Sequence, residues 1–517
     1  MKQDSISSST SNDNFQLSKG MFWIVAIMLT TANFIAVLNI TIANVSVHNI
    51  AGSLGTTTSQ GTWVITSYAV GEAITVPLTG WLASRFGAVR VFVGAMISFG
   101  VFSFLCGMAD SIGLLVIARI FQGFSGGPLM PLSQTLLLRI FPKEKAGAAV
   151  GMWSMTTLIA PVIGPILGGY LCDEYSWEWV FLINAPVAVI CGFIVWKLFN
   201  GYKETFSKNP IDIVGLTLLI IWVASLQLML DEGKDLDWFS STKIIVLAIT
   251  SSVGFITFII WEWYEEHPIV DLKVFRHRGF SISVLTISFA FAAYFGINVL
   301  TPLWLQSLMG YTATQAGIVV AWVGVTALFA APFVANMVSK VDPRKLIFSG
   351  VLWLGIITFW RCITTTDMGF WEISIPLIFF GLGMPFFFIP TNGLALASVT
   401  EKEMDSAAGL MNFLRTLSGA MATSYITTVW NNKTIENHAE LVAISDSDLS
   451  MRTTLESTGM TPDAVNQAID FIINGQSIMI ATNQLMSILG FTFIFAAFVI
   501  WLAPKPSRVV DPASAGH

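Results

Sequence analysis

The sequence predicts an all-α membrane protein that crosses the bilayer about fourteen times, and three observations carry this reading. The 517 residues are 54% hydrophobic and only 11% charged, with a mean hydropathy of +0.71, whereas a soluble domain carries about a quarter charged residues. The apolar residues fall into fourteen runs, each near the ~20 residues that an α-helix needs to cross the hydrocarbon core. The Lys and Arg residues between the runs then fall mostly on one side.

The predicted spans lie near 21–47, 61–83, 89–109, 112–135, 146–170, 178–199, 211–230, 243–263, 281–305, 313–338, 346–364, 371–398, 407–430 and 478–503. Positive residues stay on the cytoplasmic side of a membrane. With both termini inside, the cytoplasmic segments hold nineteen Lys and Arg, among them Lys19, Arg85, Arg90, Arg139, Lys143, Lys203, Arg276, Lys340, Arg344, Lys402 and Lys505. The other face holds five: Lys234, Lys243, Arg361, Lys433 and Arg452. That asymmetry sets the expected orientation in a bacterial inner membrane.

The first twenty residues are polar and serine-rich without a small-residue cleavage site, so they read as a disordered cytoplasmic tail and not as a signal peptide. Cys106, Cys172, Cys191 and Cys362 are scattered and lack metal-ligand spacing. The five histidines are isolated, which argues against a metal centre. No G-x-x-x-x-G-K-[ST] loop is present, so neither ATP nor any other cofactor is expected. Nothing suggests catalytic residues or nucleic-acid binding.

An internal repeat organises the chain. Residues 59–90 resemble 314–345 at an offset that pairs Gln60 with Gln315, Pro77 with Pro332, Arg85 with Lys340 and Arg90 with Lys345. Ala148, Ala149, Met152, Thr157 and Leu158 likewise match Ala407, Ala408, Met411, Thr416 and Leu417. The expected domains are a tail (1–20), an N-terminal six-helix bundle (21–199) and two inserted spans with their loops (200–280). A C-terminal six-helix bundle (281–503) with an outer loop at 431–476 and a cytoplasmic tail (504–517) complete the chain. Two repeated halves flanking a midplane site are the layout of an alternating-access transporter.

Three motifs sit on this frame. Between spans two and three lies Gly80-Trp81-Leu82-Ala83-Ser84-Arg85-Phe86-Gly87-Ala88-Val89-Arg90. Its glycines permit close helix approach and its cations suit helix C-termini, so Gly80, Arg85, Gly87 and Arg90 are candidate gating residues. Span four carries Arg119-Ile120-Phe121-Gln122-Gly123, followed by Gly126-Gly127-Pro128. Span five carries Pro161, then Gly164-Pro165 and Gly168-Gly169.

Together these resemble the signature motifs of the major facilitator superfamily, the last of them (Gly164, Pro165, Gly168, Gly169) resembling its antiporter motif. Thr41-Ile42-Ala43-Asn44, Gln60 through Ser67, Pro131-Leu132-Ser133-Gln134 and Trp153-Ser154-Met155-Thr156 narrow the resemblance to the fourteen-span drug:proton antiporters of the EmrB type. So do Trp179 through Pro186, Leu236-Asp237-Trp238 and Tyr311 through Thr314. The similarity covers about residues 21–503. It implies a major facilitator fold and export of hydrophobic drugs or fatty-acid-like amphiphiles, driven by inward proton flow. It also implies a periplasmic adaptor protein and an outer-membrane channel as partners. The sequence departs from the family in two places: Ser84 stands where the first loop motif usually has an aspartate, and Asn39 where the first span usually has an acid.

Charges inside a membrane cost at least ~2.5 kcal/mol each, so they are functional suspects. Three are found: Glu72, Arg119 and Arg415. Glu72 lies ~16 Å from the outer end of its span at 1.5 Å per residue. It is expected to carry the proton, with Arg119 near it and Asn39 as a hydrogen-bonding partner or substrate contact. Arg119 also suits an interhelical hydrogen-bond hub. Arg415, in Asn412-Phe413-Leu414-Arg415, either meets an anionic substrate or braces carbonyls. Aromatics crowd spans nine to twelve (Phe291, Tyr294, Phe295, Trp304, Trp322 and Phe386 to Phe388). Most of them pack or face lipid. Tyr294, Phe295, Trp322 and Phe387, with Arg415 and Asn412, are the candidates for lining an apolar substrate cavity. A uniporter or importer of the same fold, or a non-transporting receptor or scaffold, would carry the same helices.

Overall fold

A computed structural model describes residues 19–56, 58–142, 145–199, 210–233, 236–338, 340–447, 450–457 and 460–505. Most of the two expected tails and of the 200–209 linker, with Lys143, Lys203 and Lys234, lies outside them. Among the described residues the regular structure is all helical. The N-terminal half comprises α1 (Lys19–Ser53), α2 (Thr58–Phe86), α3 (Ala88–Gly107), α4 (Ile112–Gly126), α5 (Leu129–Ile140), α6 (Ala146–Glu174), α7 (Trp179–Leu182) and α8 (Asn184–Leu198). The inserted pair is α9 (Ile213–Glu232) and α10 (Thr242–Tyr264). The C-terminal half comprises α11 (Arg278–Ser307), α12 (Ala313–Met337), α13 (Pro343–Trp360), α14 (Phe370–Ala397), α15 (Met404–Ser447), α16 (Ser450–Ser457) and α17 (Pro462–Val499).

Eleven helices among the described residues are long and apolar enough to cross a membrane, and twelve if the bent α6 counts as one span. The span predicted at 346–364 is among them as Pro343–Ile363. α2 and α15 have the length but not the apolarity, because Glu72 and the Ser/Thr/Gly residues of α2, and the Asp405, Arg415 and polar end of α15, dilute them. Both are central: α2 packs on α1, α4, α9 and α15. The span predicted at 112–135 is broken into α4 and α5 at Gly127-Pro128 and continues to Ile140, since proline removes an N–H and clashes with the preceding turn. α6 bends by 43° beside Pro161.

Two elements run far past their predicted ends. α15 has 44 residues and α17 has 38, so at 1.5 Å per residue they are ~66 and ~57 Å long against a hydrocarbon core of ~30 Å. The predicted loop at 431–476 is therefore largely the helical continuation of α15 and α17, with α16 between them. Thr461 caps α17, its hydroxyl accepting from Ala464 N at 3.4 Å with Pro462 in the first turn. Thr461-Pro462-Asp463 reads as a helix start in the sequence and 431–476 as a short outer helical pair; the helices are continuous with the spans, and hydrophobic runs do not show that continuity because the outer residues are polar.

The repeated segments occupy matching places: Pro77 and Pro332 lie inside α2 and α12, and the second matched block lies in α6 and α15. The halves meet along two seams, α2 and α5 against α15, and α6 against α12 and α14. At the cation-rich end both seams are tight. A Cβ on Gly80 would lie 2.6 Å from Ser406 Cα, and one on Gly147 would lie 2.9 Å from the Ala335 carbonyl oxygen. Arg139 pairs there with Asp405 at 2.5 Å. At the other end α9 bridges α2 and α15: Thr66 donates to Asp231 and Ser424 donates to Leu230 O at 2.8 Å.

Candidate functional site at the seam of the two halves

Glycine brings α2 and α4 into backbone contact. A Cβ on Gly123 would sit 2.2 Å from Tyr68 O, one on Gly71 would sit 2.4 Å from Ile120 O, and one on Gly127 would sit 2.1 Å from Thr75 Oγ1. No larger residue fits without pushing the helices apart. This contact places Arg119 of α4 and Glu72 of α2 in one buried layer, 1% and 2% exposed.

Arg119 is anchored at two of its three nitrogens. Its Nε donates to Val64 O and its Nη1 to Gln122 Oε1, both at 2.9 Å. Its guanidinium lies 4.4 Å from the Tyr68 ring centroid and 5.3 Å from that of Phe181. Gln122 passes the network on, donating to Ser103 Oγ at 3.0 Å and to Asn39 Oδ1 at 3.4 Å. Asn39 is thus two hydrogen bonds from Arg119.

Glu72 is not engaged in this way. Its Oε1 is buried without a hydrogen-bond partner, and among the described residues no cation lies within ion-pair distance of it. It stands within electrostatic range of both Arg119 and Arg415. Arg415 comes from the other half. Its Nη2 donates to Met130 Sδ at 3.4 Å, while Nε and Nη1 are buried with no partner. Three rings enclose it: Phe291, Trp153 and Phe388, with centroids at 5.2, 5.3 and 5.6 Å. Such a cage offers cation–π stabilisation but leaves hydrogen-bonding capacity unused.

A polar tie crosses the seam nearer the cation-rich end. Asn412 donates to Gln134 Oε1 at 3.1 Å, and Gln134 donates to Asn392 Oδ1 at 3.3 Å; all three are buried. Asn412 is therefore a contact between the halves in this conformation. Tyr294 is buried and stacks on Phe380, its hydroxyl unpartnered. Phe295 packs on Phe291 at 4.8 Å. Trp322 is half-buried beside Trp371, with its indole N–H unpartnered. Phe387 lies in the interior of the C-terminal half; its neighbour Phe388 is the residue that reaches Arg415. Gln134 and Trp153, conspicuous in the sequence only within the family-like segments, join the site, and so does Asn392, which does not stand out in the sequence.

The motif residues have structural work. Gly87 has φ +94° and starts α3, a conformation that favours glycine. Arg85 and Arg90 flank that turn. A Cβ on Gly164 would lie 2.1 Å from Thr41 Oγ1, so α6 presses on α1 at this point of the Pro161–Pro165 segment. Gly168 is buried and Gly169 has open space around it.

Two repeated helical halves with buried charges at their seam define a membrane transporter. The sequence profile of the Major Facilitator Superfamily matches residues 29–423. The chain is 40% identical over 488 residues to the multidrug export protein EmrB of Escherichia coli K12, covering 93% of this chain and 95% of that one. It is 38% identical over 486 residues to the fatty acid resistance protein FarB of Neisseria gonorrhoeae, covering 93% and 96%. The proton:xylose symporter XylE, solved bound to 6-bromo-6-deoxy-D-glucose, superposes with a TM-score of 0.59 at 14% identity, covering 95% of this chain and 97% of that one. The chain belongs to the Major Facilitator Superfamily, and within it to the EmrB-type multidrug exporters.

Proposed function

We propose that this efflux transporter exports hydrophobic or amphiphilic toxic compounds, drugs or fatty-acid-like molecules, by alternating access in exchange for protons. The observation that carries the proposal is the Glu72 carboxylate, buried with one oxygen unpartnered between an arginine of its own half and an arginine of the other. Burial favours the neutral acid and a nearby cation favours the charged one. Rocking of the halves changes the distance from Glu72 to Arg415 but leaves Arg119, fixed to α2 through Val64, in place. The proton affinity of Glu72 then alternates with the state of the transporter, and Asn39 supports the layer through Gln122. The caged Arg415 receives the amphiphile, with Tyr294 and Phe295 packed on Phe291 of its cage and Trp322 on α12 of the same half; an anionic headgroup would complete its idle N–H groups. The tight cation-rich end, with Gly80, Arg85, Gly87 and Arg90, forms the cytoplasmic gate, and the bend at Pro161–Pro165 forms the antiporter hinge.

The proposed setting is the bacterial inner membrane with fourteen spans, six in each half plus the inserted α9 and α10, and both termini cytoplasmic. The projecting ends of α15 and α17 then stand in the periplasm. Phe471 (77% exposed) and Ile435 (62% exposed) on them suit docking of an adaptor protein that leads to an outer-membrane channel. The test is pH-gradient-driven flux in proteoliposomes. Glu72→Gln is expected to bind substrate within about twofold of the parent while losing at least ~10-fold in gradient-driven transport. A Glu72→Gln protein that pumps against a gradient at the parent rate removes the proton site from this layer.

A further inference from the structure

The inserted pair α9–α10 carries two buried acids of its own. Asp212 precedes α9 and Glu262 lies in the last turn of α10, and they are 8% and 1% exposed. Gly215 of α9 brings them together. A Cβ on Gly215 would lie 2.2 Å from Asp212 Oδ2 and 2.4 Å from Glu262 Oε1. The two oxygens therefore face one point and lie at most 4.6 Å apart, the sum of those distances.

The other oxygens of the pair have donors. Asp212 Oδ1 accepts from Gly215 N at 2.8 Å, and Trp261 Nε1 donates to Asp212 Oδ1 and Oδ2 at 3.1 and 3.0 Å. Glu262 Oε2 accepts from Val270 N at 3.2 Å. Glu262 Oε1 is buried with no partner. The charges that act on Glu262 are Asp212 and Glu265, both acids, and among the described residues neither member of the pair has an ion-pair partner. Neighbouring segments bring charges that are committed or face solvent. Glu265 Oε1 accepts from Glu266 N and His267 N. Asp271 Oδ1 accepts from Lys273 N, and the Lys273 and His267 side chains are exposed. Arg276 pairs with Glu403 at 2.6 Å. On α2 and α15, which also pack on α9, the charges at this end are Arg85, and Asp405, which pairs with Arg139.

An ionised Glu262 would set two negative charges face to face in a buried space and leave one oxygen without a donor. Both are costly. Burial and a neighbouring carboxylate each favour the neutral acid. A protonated carboxyl gains one O–H donor, and the oxygen that lacks a partner is the one facing an acceptor. One proton removes both faults.

We infer that Glu262 is a proton-holding site: at neutral pH its Oε1 carries a proton and donates it to Asp212 Oδ2. That hydrogen bond ties the start of α9 to the end of α10, beside the Val270 turn that leads into α11. Loss of the proton leaves two carboxylates opposed across Gly215, so this end of the inserted pair is a pH-sensitive joint. The site is separate from the Glu72 layer and does not depend on how that layer works.

The experiment is infrared spectroscopy of the purified full-length protein in detergent, titrated from about pH 5 to about pH 9. The parent is expected to show at neutral pH a carboxylic-acid C=O stretch that Glu262→Gln lacks and that fades as the pH rises. Any acid band from Glu72 is common to both proteins and cancels in their difference. Asp212→Asn keeps an oxygen for Gly215 N but removes the like charge. Its band should fade at a pH lower by about one unit, a ~10-fold weaker hold on the proton. This shift carries the test if Glu262→Gln does not fold. A parent and Glu262→Gln with the same acid band at neutral pH would show Glu262 ionised and overturn the inference. An unshifted band in Asp212→Asn would overturn it equally, because Asp212 would not be the partner of the proton.

Discussion

Arg119 and Arg415 are both buried arginines in apolar helices, one in each half, and they are held in opposite ways. Arg119 spends its Nε and Nη1 on Val64 O and Gln122 and lies over Tyr68. Arg415 has a sulfur acceptor and a ring cage, with two nitrogens idle. A buried charge anchored by strong oxygen acceptors is part of the scaffold; one held mainly by a sulfur and aromatic rings retains more capacity for another partner. In the proposed mechanism, that difference separates the arginine that anchors the Glu72 layer from the one that exchanges charge with it.

The largest expected effect falls on the wired arginine. Arg119→Met leaves Gln122 Oε1 with only the weak Cys106 thiol donor at 3.6 Å, removes the tie to Val64 and breaks the link from α2 to Asn39. A loss of ~2–4 kcal/mol in stability is expected, read as a lower Tm and poor recovery from the membrane. An Arg119→Met protein as stable as the parent breaks the comparison. Arg415→Met should do the reverse. Replacing an incompletely bonded buried charge with an apolar side chain is often neutral or stabilising, so stability should stay within ~1 kcal/mol while transport is lost. A destabilised Arg415→Met protein would make the two arginines alike.

A smaller effect is expected at the tie between the halves. Gln134→Leu removes both cross-seam hydrogen bonds, to Asn392 and from Asn412, at ~1 kcal/mol each. It should raise the accessibility of a cysteine placed at Ser406 to a polar thiol reagent from the cation-rich side. Unchanged accessibility would mean that glycine packing and the Arg139–Asp405 pair alone hold that end shut. The smallest effect concerns Glu403, before α15. Partial burial raises its carboxyl, but hydrogen bonds from Thr400 and His277 and the nearby Arg276 outweigh this and hold it at about 2, below its ordinary 4.5. A carboxyl depressed in the folded state contributes stability above its ordinary value and loses it as pH falls through the folded value. The Tm difference between the parent and Glu403→Gln should therefore be constant at neutral pH and shrink as pH falls from about 4.5 toward 2. A difference that grows on acidification contradicts this.

The legible and hidden parts of the site divide by sequence distance. Glu72, Arg119 and Arg415 stand out because a charge in an apolar run is conspicuous wherever the run packs. The glycine motifs stand out because their spacing lies on one helix. The cage of Trp153, Phe291 and Phe388 and the Gln134–Asn392–Asn412 tie join residues more than 250 positions apart in places, and although most of them are conspicuous singly, nothing in the sequence says which of them meet. Phe387 and Phe388 are equivalent by composition, and only helix rotation decides that the second faces Arg415. The lengths of α15 and α17 are hidden because their outer turns are polar, so a hydropathy window ends where the helix does not. Arg361 misleads for the opposite reason: it sits where an apolar run ends, yet α11, α14 and α17 close over it.

Whether Glu72 carries the exchanged proton is the central claim, and proton release on substrate binding tests it most directly. Purified protein in weakly buffered detergent solution, followed with a pH-indicator dye, receives a saturating amphiphilic substrate near neutral pH. The parent is expected to release protons in proportion to the protein bound, and Glu72→Gln to bind the same substrate with no release. Equal release from Glu72→Gln would contradict the account and assign the proton to another group.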